Sequence, residues 1–500
     1  MRRPLLLSLV LALSATVLPT VAASGAGECD DVPQAGPRVC ATLDAGRVVL
    51  GGLCDQPGVV PADGCGAVRG TTVDTTLVEA YAASDLSALH RLQRALGTAL
   101  PLAQAQLLSS HNSYNSTAYL PSVANNDPNQ HYALADQLRM EMREIELDVH
   151  SWYASTSDVS PAGGLPVLCH ATGPHLGCSA DRPLLDGLTE IRDWLDANPD
   201  DVIMIDVENH LDGEAGHDAA AAVFESVLGE LLYRPEGKAP CAALPLATSF
   251  DQIRSAGAQV LLVSSCGSGA AWGQMIYGYG AWNQGRLGAF AAGSCGDDYD
   301  RATYDTVWTR YWEDTTWLSA MAGGVGPRLD GETLRAAMAC GLSIASLDKL
   351  HPDDPRLASL LWSWKPGTAA VDPQPGDEAV IGTDGRFHVR GRDVAVTNTQ
   401  NPPAPSPPTP SPHQQALLCR RLDGSFEIAV LSSDIGEISV VDQPAMLDLL
   451  CGDGTLTTPR SAREMQLVRE SIARHQEMFG TMRAEISMAY TVTDAGWTAR

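Results

Sequence analysis

The chain has 500 residues, 60 acidic against 33 basic, for a formal net charge of −27, and 44% of it is hydrophobic. Such acidity excludes a nucleic-acid partner, since phosphate backbones are gripped by clustered Lys and Arg, and it disfavours simple electrostatic adhesion to an anionic membrane. Length and apolar content suit one large domain with appendages.

Residues 1–23 begin with two arginines, continue as an apolar run from Pro4 to about Val21 and end on Ala22 and Ala23. That order predicts a cleaved secretory signal and a secreted, extracellular protein. All twelve cysteines follow it, an even number in an oxidising compartment. No paired CxxC clusters occur, so a zinc site is not expected. The expected local bridges are Cys29–Cys40, Cys54–Cys65 and Cys169–Cys178, although sequence alone leaves the connectivity open. Residues 24–100 read as a Cys-rich lead segment.

From about residue 101 to 366, short apolar runs alternate with amphipathic ones. The runs QLLSSH, REIELDVHSW, LPVLCH, DVIMIDVENH, QVLLVSS, TVWTRYW, LSIASLDKL and SLLWSW are candidate strands. Between them ALADQLRMEM, PLLDGLTEIRDWLDANP, HDAAAAVFESVLGELL, FDQIRSAG and GETLRAAMACG read as helices, with Pro183 at a start and Gly341 as a stop. Alternating strands and helices imply a mostly parallel sheet, and this number of strands suits an α/β fold of the (β/α)₈ TIM-type barrel. No GxGxxG turn supports a doubly wound sheet. Residues 367–500 form a C-terminal extension: a proline-rich loop at 401–414, a strand pair about Asp423-Gly424, and a charged amphipathic helix expected to pack back on the barrel.

A parallel α/β barrel builds its site at the C-terminal ends of its strands. Polar residues end four successive runs: His111 and Asn112; Glu146, Asp148 and His150; His170; Glu208, Asn209 and His210. Alternation puts Glu146, Asp148 and His150 on one face of their strand. Carboxylates facing a core need a cation, a basic partner or a proton. With Asn112 and Glu208 they form an oxygen-only shell suited to Ca²⁺, with Mg²⁺ as the alternative. His111 and His170 flank it, an arrangement suited to phosphodiester cleavage, in which a metal neutralises charge and a histidine donates a proton.

SHNSY (110–114), IELDVHSW (145–152), LCH (168–170) and DVENH (206–210) resemble the phosphatidylinositol-specific phospholipase C superfamily, calcium-dependent type, in order and spacing. The stretches GLSIASLDKLHPDDPRLASLLWSW and RYWEDTT are similar to secreted members and extend the likeness to about residue 366. The resemblance implies that His111 stabilises the phosphoryl transition state and His170 protonates the leaving diacylglycerol oxygen. It implies Ca²⁺ bound by Asn112, Glu146, Asp148 and Glu208, with Glu146 or Asp148 taking the proton of the attacking inositol 2-hydroxyl. Arg310, Tyr311 and Lys349 are candidates for gripping phosphate or headgroup. The expected partner is a phospholipid or soluble phosphodiester, with transient membrane contact and a monomeric chain. The family commonly has Gly after the second histidine, where this chain reads HATG. A glycerophosphodiester or sphingomyelin-type substrate on the same barrel, and a catalytically weak secreted binding protein, are the competing readings.

Overall fold

The computed structural model describes residues 75–119, 128–153, 163–170, 178, 182–279, 282–284, 308–316, 328–382, 384–391, 416–430, 449–479, 485–493 and 496–499. The expected signal segment, the Cys29–Cys40 and Cys54–Cys65 bridges and the proline-rich loop lie outside the described residues.

Two helices, α1 (Thr76–Ala82) and α2 (Asp85–Gly97), precede the barrel. The barrel strands are β1 (Leu107–Ser110), β2 (Glu144–Trp152), β3 (Leu165–Leu168), β4 (Ile203–His210), β5 (Val260–Ser264), β6 (Tyr277–Gly278), β7 (Trp282–Gln284), β8 (Trp308–Trp312) and β9 (Ile344–Leu347). They hydrogen-bond in the order β6-β5-β4-β2-β1-β9-β8-β7, every neighbouring pair parallel, so eight parallel strands curl round in barrel order. The expected α/β barrel architecture is therefore present.

Its helices include α3 (Leu134–Arg139), α4 (Leu184–Ala197), α5 (Gly213–Leu228), α6 (Phe250–Ser255), α7 (Ala270–Met275), α8 (Gly331–Ala339) and α9 (Pro355–Leu360). Pro183 stands at the N-cap of α4. A Ser249/Gln252 capping box starts α6 by satisfying backbone N–H groups that have no partner within the helix. Gly341 adopts φ 103° after α8, a conformation that favours glycine.

Two local expectations are corrected. β3 is not a parallel barrel strand: it pairs antiparallel with β2, Val149 opposite Leu168 and Trp152 opposite Leu165. A parallel return needs a crossover of a dozen or more residues, usually a helix, so the 12 residues between β2 and β3 stand at the lower limit for one, whereas an antiparallel return needs fewer. SLLWSW is not a strand either. Asp354 caps α9 with Pro355 at its start, so the apolar run continues a helix and then leaves it. The remaining strands of the curled sheet are instead the short β6 and β7, which stand at its two ends.

Strand alternation divides the interior. Ile145, Leu147, Val149, Ile203, Ile205 and Val207 face outward into the main apolar cluster with Leu188, Ile191 and Phe224 of the helices. Leu107, Met204, Leu261, Val263, Trp308 and Ile344 fill the barrel floor as a second cluster. Above that floor the inward residues turn polar.

Beyond the barrel, β10 (Glu378–Ile381), β11 (Phe387–Arg390), β12 (Ala416–Arg420), β13 (Phe426–Val430), β14 (Thr455–Leu456), β15 (Ile486–Thr493) and β16 (Gly496–Ala499) form a second sheet. β12 and β13 are the antiparallel pair read from sequence, with Gly424 at φ 81° in their turn. Helix α10 (Ala462–Phe479) packs against β13 and α8. Ala379, Phe387, Leu418 and Met488 share the main cluster with the barrel helices, so the two sheets have one continuous core.

Bridges join Cys169 to Cys178, Cys241 to Cys266 and Cys419 to Cys451; the first was expected, the others were not. Among the described residues no helix is long and apolar enough to cross a membrane.

Candidate active site in the barrel mouth

β1 and β9 pair Ser109 with Ser346, and β1 pairs Ser109 with Glu144 of β2, which aligns their side chains inward. Two residues further on, the same faces carry His111 and Asp348. Parallel register sets Glu146 beside Asp206 and Asp148 beside Glu208. β8 contributes Arg310 to the same interior.

The lower polar layer is neutralised by one guanidinium. Arg310, 4% exposed, lies 2.5 Å from Glu146 Oε2 through Nη2 and 3.2 Å from Asp206 through Nη1, and donates to Ser346 Oγ at 3.1 Å. Tyr279 donates to Asp206 at 2.7 Å. Burial pushes the Asp206 carboxyl up to about 7, against the pull of Arg310. Burial also raises Glu146, but Arg310 and His111 reverse this and hold it at about 2. Glu144, which accepts from Ser109, is raised well above the usual carboxylate range by burial.

His111 sits in the upper layer, with Nδ1 3.1 Å from Asp348 Oδ1 and Nε2 3.9 Å from Glu146 Oε2. Asn129 donates to both Asp348 oxygens, and Thr315 donates to Asp348 through its backbone N–H at 2.6 Å and its hydroxyl at 2.9 Å. Burial alone depresses His111; Glu146 and Asp348 override it and raise the imidazole to about 9. His170 arrives from the other side, its Nδ1 3.2 Å from Asn115 Nδ2. Burial and the charge of His111 lower it. The antiparallel β3 delivers it: the Cys169 N–H donates to Asp148 O, so the chain returns to the level of Asp148 rather than ending above it.

Asn112 adopts φ 45°, a left-handed conformation that Asn tolerates better than most residues. Its N–H donates to Glu146 at 3.0 Å. Its amide stands against Asp148, 2.9 and 3.1 Å from the two carboxylate oxygens. Turned one way the amide nitrogen donates to that carboxylate; turned the other, two acceptors share one focus, which a cation satisfies. Asp148 is 3% exposed and raised well above the usual carboxylate range by burial, Glu208 and Glu146. Asp148, Glu208 and His210 each offer a ligand atom within 4.8 Å of the others. The donor set fits a divalent cation.

Of the nine residues singled out in the sequence, the structure brings His111, Asn112, Glu146, Asp148 and Arg310 to this interior, with His170 half-buried and Glu208 exposed at its mouth. Two corrections concern roles. Glu146 is engaged by Arg310 and so is not a free carboxylate, and Arg310 is buried in that pairing rather than open to a headgroup. Tyr311 is not in the site: next to the inward Arg310 it must face outward, and it packs in the main cluster. Lys349, in left-handed conformation after Asp348, is joined to the Asn129 loop through its backbone N–H at 2.7 Å. Sequence reasoning missed Asp348, Asp206 and Asn129. Alternation from Ser346 was the available signal for Asp348.

A cleft at the N-terminal end of β1 is lined by His90, Arg94, Glu141, Arg143 and Arg460. Its Glu141 carboxylate is held by Arg91, Arg94 and Arg143, and it lies at the barrel end opposite the two histidines.

A family model for the Rv2075c PI-PLC-like domain matches residues 70–354. The chain belongs to this family. Uncharacterized protein Rv2075c of Mycobacterium tuberculosis (strain ATCC 25618 / H37Rv) is 31% identical over 389 residues, covering 73% of this chain and 77% of that protein. Among solved structures, the phosphatidylinositol-specific phospholipase C from Listeria monocytogenes is similar with a TM-score of 0.36 at 14% identity, covering 55% of this chain and 97% of that one. A calcium-dependent phosphoinositol-specific phospholipase C from a Gram-negative bacterium, Pseudomonas sp., gives a TM-score of 0.32 at 12% identity, covering 52% and 95%. The PI-PLC-like domain thus spans α1, α2 and all nine strands of the first sheet, and its family is that of a phosphodiesterase-type enzyme.

Proposed function

We propose that this protein is a secreted phospholipase C-type phosphodiesterase that cleaves the glycerol–phosphate bond of phosphatidylinositol or a related phosphoinositide. The observation that carries the reading is the pairing of two histidines of opposite electrostatic character beside a buried carboxylate that lacks a basic partner among the described residues. Secretion is supported by the leader-like start and the disulfide content.

His111, kept cationic by Glu146 and Asp348, presents a charged donor to the phosphoryl oxygens, where negative charge grows in the transition state. Asp348 fixes the ring through Nδ1 and leaves Nε2 to face the barrel interior. His170 donates to the departing glycerol oxygen. Burial and His111 disfavour its protonated form in the free protein, and an anionic phosphodiester placed beside it offsets both. Asp148 is the better acceptor for the attacking 2-hydroxyl proton, because Arg310 and the Asn112 N–H already occupy Glu146. A divalent cation at Asn112, Asp148 and Glu208, Ca²⁺ by family resemblance with Mg²⁺ as the alternative, supplies charge neutralisation and acidifies a bound hydroxyl. Tyr153, 45% exposed just beyond β2, gives the mouth an apolar element for transient contact with a lipid surface.

The test is turnover of phosphatidylinositol vesicles with and without chelator, read as cyclic inositol phosphate. Loss of product with chelator and in His111→Ala is expected. Metal-independent turnover, or full activity in His111→Ala, sinks the mechanism, and turnover of glycerophosphodiesters alone redirects the substrate.

A further inference from the structure

The oxygen shell implied by family resemblance includes Glu146, and the geometry assigns that carboxylate elsewhere. Its Oε2 is 2.5 Å from the Arg310 guanidinium and accepts the Asn112 N–H at 3.0 Å. A cation bound there would stand beside a guanidinium already balancing the charge, so electrostatics oppose it. Asp148, one position higher on the same face of β2, has the reverse character. It is 3% exposed, has no cationic partner among the described residues, and faces the Asn112 amide at 2.9 Å. A buried carboxylate in that state needs a cation or a proton.

The remaining donors at this level come from β4. Glu208 pairs in register with Asp148. His210, two residues on, lies with Nε2 2.9 Å from Glu208 Oε1. Its ring is stacked on buried His150, centroids 4.3 Å apart and planes at 18°, which fixes the imidazole plane. Asp148, Glu208 and His210 have ligand atoms mutually within 4.8 Å.

We propose that the cation shell is Asn112, Asp148, Glu208 and His210, with the imidazole nitrogen taking the place the family pattern gives to Glu146. This rests on the reading of the site as a cation site and deepens it. Two carboxylates neutralise a divalent ion, and one nitrogen among three oxygens moves preference away from the hard ion Ca²⁺, which takes oxygen ligands, towards a first-row ion such as Mn²⁺. His210 is 26% exposed at its side chain, so the shell stays open on the solvent side for water or substrate oxygen.

The experiment is metal binding to the metal-free full-length chain, independent of turnover. Isothermal titration is expected to give Mn²⁺ at least about tenfold tighter than Ca²⁺. Electron spin-echo modulation of the bound Mn²⁺ is expected to show coupling to an imidazole nitrogen that disappears in His210→Gln. Glu146→Gln, with its fold checked by circular dichroism, is expected to lose less Mn²⁺ affinity than Asp148→Asn, which loses at least about tenfold. No nitrogen coupling in the wild-type chain, no divalent binding, or equal loss in Glu146→Gln and Asp148→Asn overturns the assignment. Nitrogen-coupled Mn²⁺ binding without turnover of any phosphodiester supports this shell and defeats the functional reading; chelator-sensitive turnover without nitrogen coupling does the opposite.

Discussion

At the scale of single residues, the site depends on how one buried guanidinium and one buried imidazole are shared among several carboxylates. Arg310 serves Glu146 and Asp206, and Asp348 and Glu146 serve His111. Replacing Asp348 by Asn keeps an oxygen for the Thr315 hydrogen bonds but removes the charge that helps hold His111 protonated. The sign follows from the environment: Asp348 raises His111, so its neutralisation lowers the His111 pKa from about 9. In Asp348→Asn, kcat is expected to fall on the order of 100-fold or more. The alkaline limb of the pH–rate profile is expected to move to lower pH. A merely structural role would reduce activity without moving that limb.

At the scale of elements, β3 is the unusual piece, because an antiparallel hairpin strand inserts one of the two histidines into an otherwise parallel architecture. Its C-terminal end is tied by Cys169–Cys178, adjacent to His170. Replacing both cysteines by Ala opens a short loop, whose closure contributes roughly 2–3 kcal/mol. Because the bridge abuts His170, kcat is expected to drop more than that modest stability loss explains at temperatures where the fold persists. Thermal unfolding and turnover measured on one sample check this; unchanged kcat sinks the positioning role. Strand parity explains what was legible here. Period two in EIELDVH and IMIDVENH correctly grouped Glu146 with Asp148 and exposed the apolar outer face. Tyr311 and Lys349 stand out with Arg310 only for lying near later strand ends, without regard to parity, whereas Arg310 and Asp348 carry the inward direction. β6 and β7 were invisible because two- and three-residue strands lack a period to read. The hairpin direction of β3 depends on the chain closing back over β2, which no local pattern records.

At the scale of the whole molecule, α2 ties the start of the PI-PLC-like domain to the segment just after its end, and to the barrel. His90 Nε2 meets Leu357 O at 2.9 Å, Gln93 Nε2 donates to Leu360 O, and the Gln93 amide oxygen accepts the N–H groups of Trp362 and Ser363. Arg91 and Arg94 of the same helix meet Glu141, which also pairs with Arg143. Burial lowers His90 from 6.5 to about 4. Burial raises Glu141, but Arg94, Arg143 and Arg91 bring it from 4.5 down to about 2. Both groups titrate lower in the folded chain than in the unfolded one, so the unfolded chain binds more protons through each interval. The stability each contributes is fully present above its unfolded value and is lost as pH falls towards its folded value. His90 therefore acts between about pH 6.5 and 4, and Glu141 between about pH 4.5 and 2, each on the order of 3 kcal/mol. Asp206, raised to about 7, acts with the opposite sign over part of the same range, so the His90 stage is read as the difference in melting temperature between the wild-type chain and a variant on acidification from pH 8 to 3. His90→Gln retains an N–H donor for the Leu357 carbonyl without a titrating ring, so the His90 stage is expected to flatten while the Glu141 stage remains. An identical decline in wild type and variant above pH 4.5 refutes the assignment to His90 and moves the acid sensitivity elsewhere in the fold.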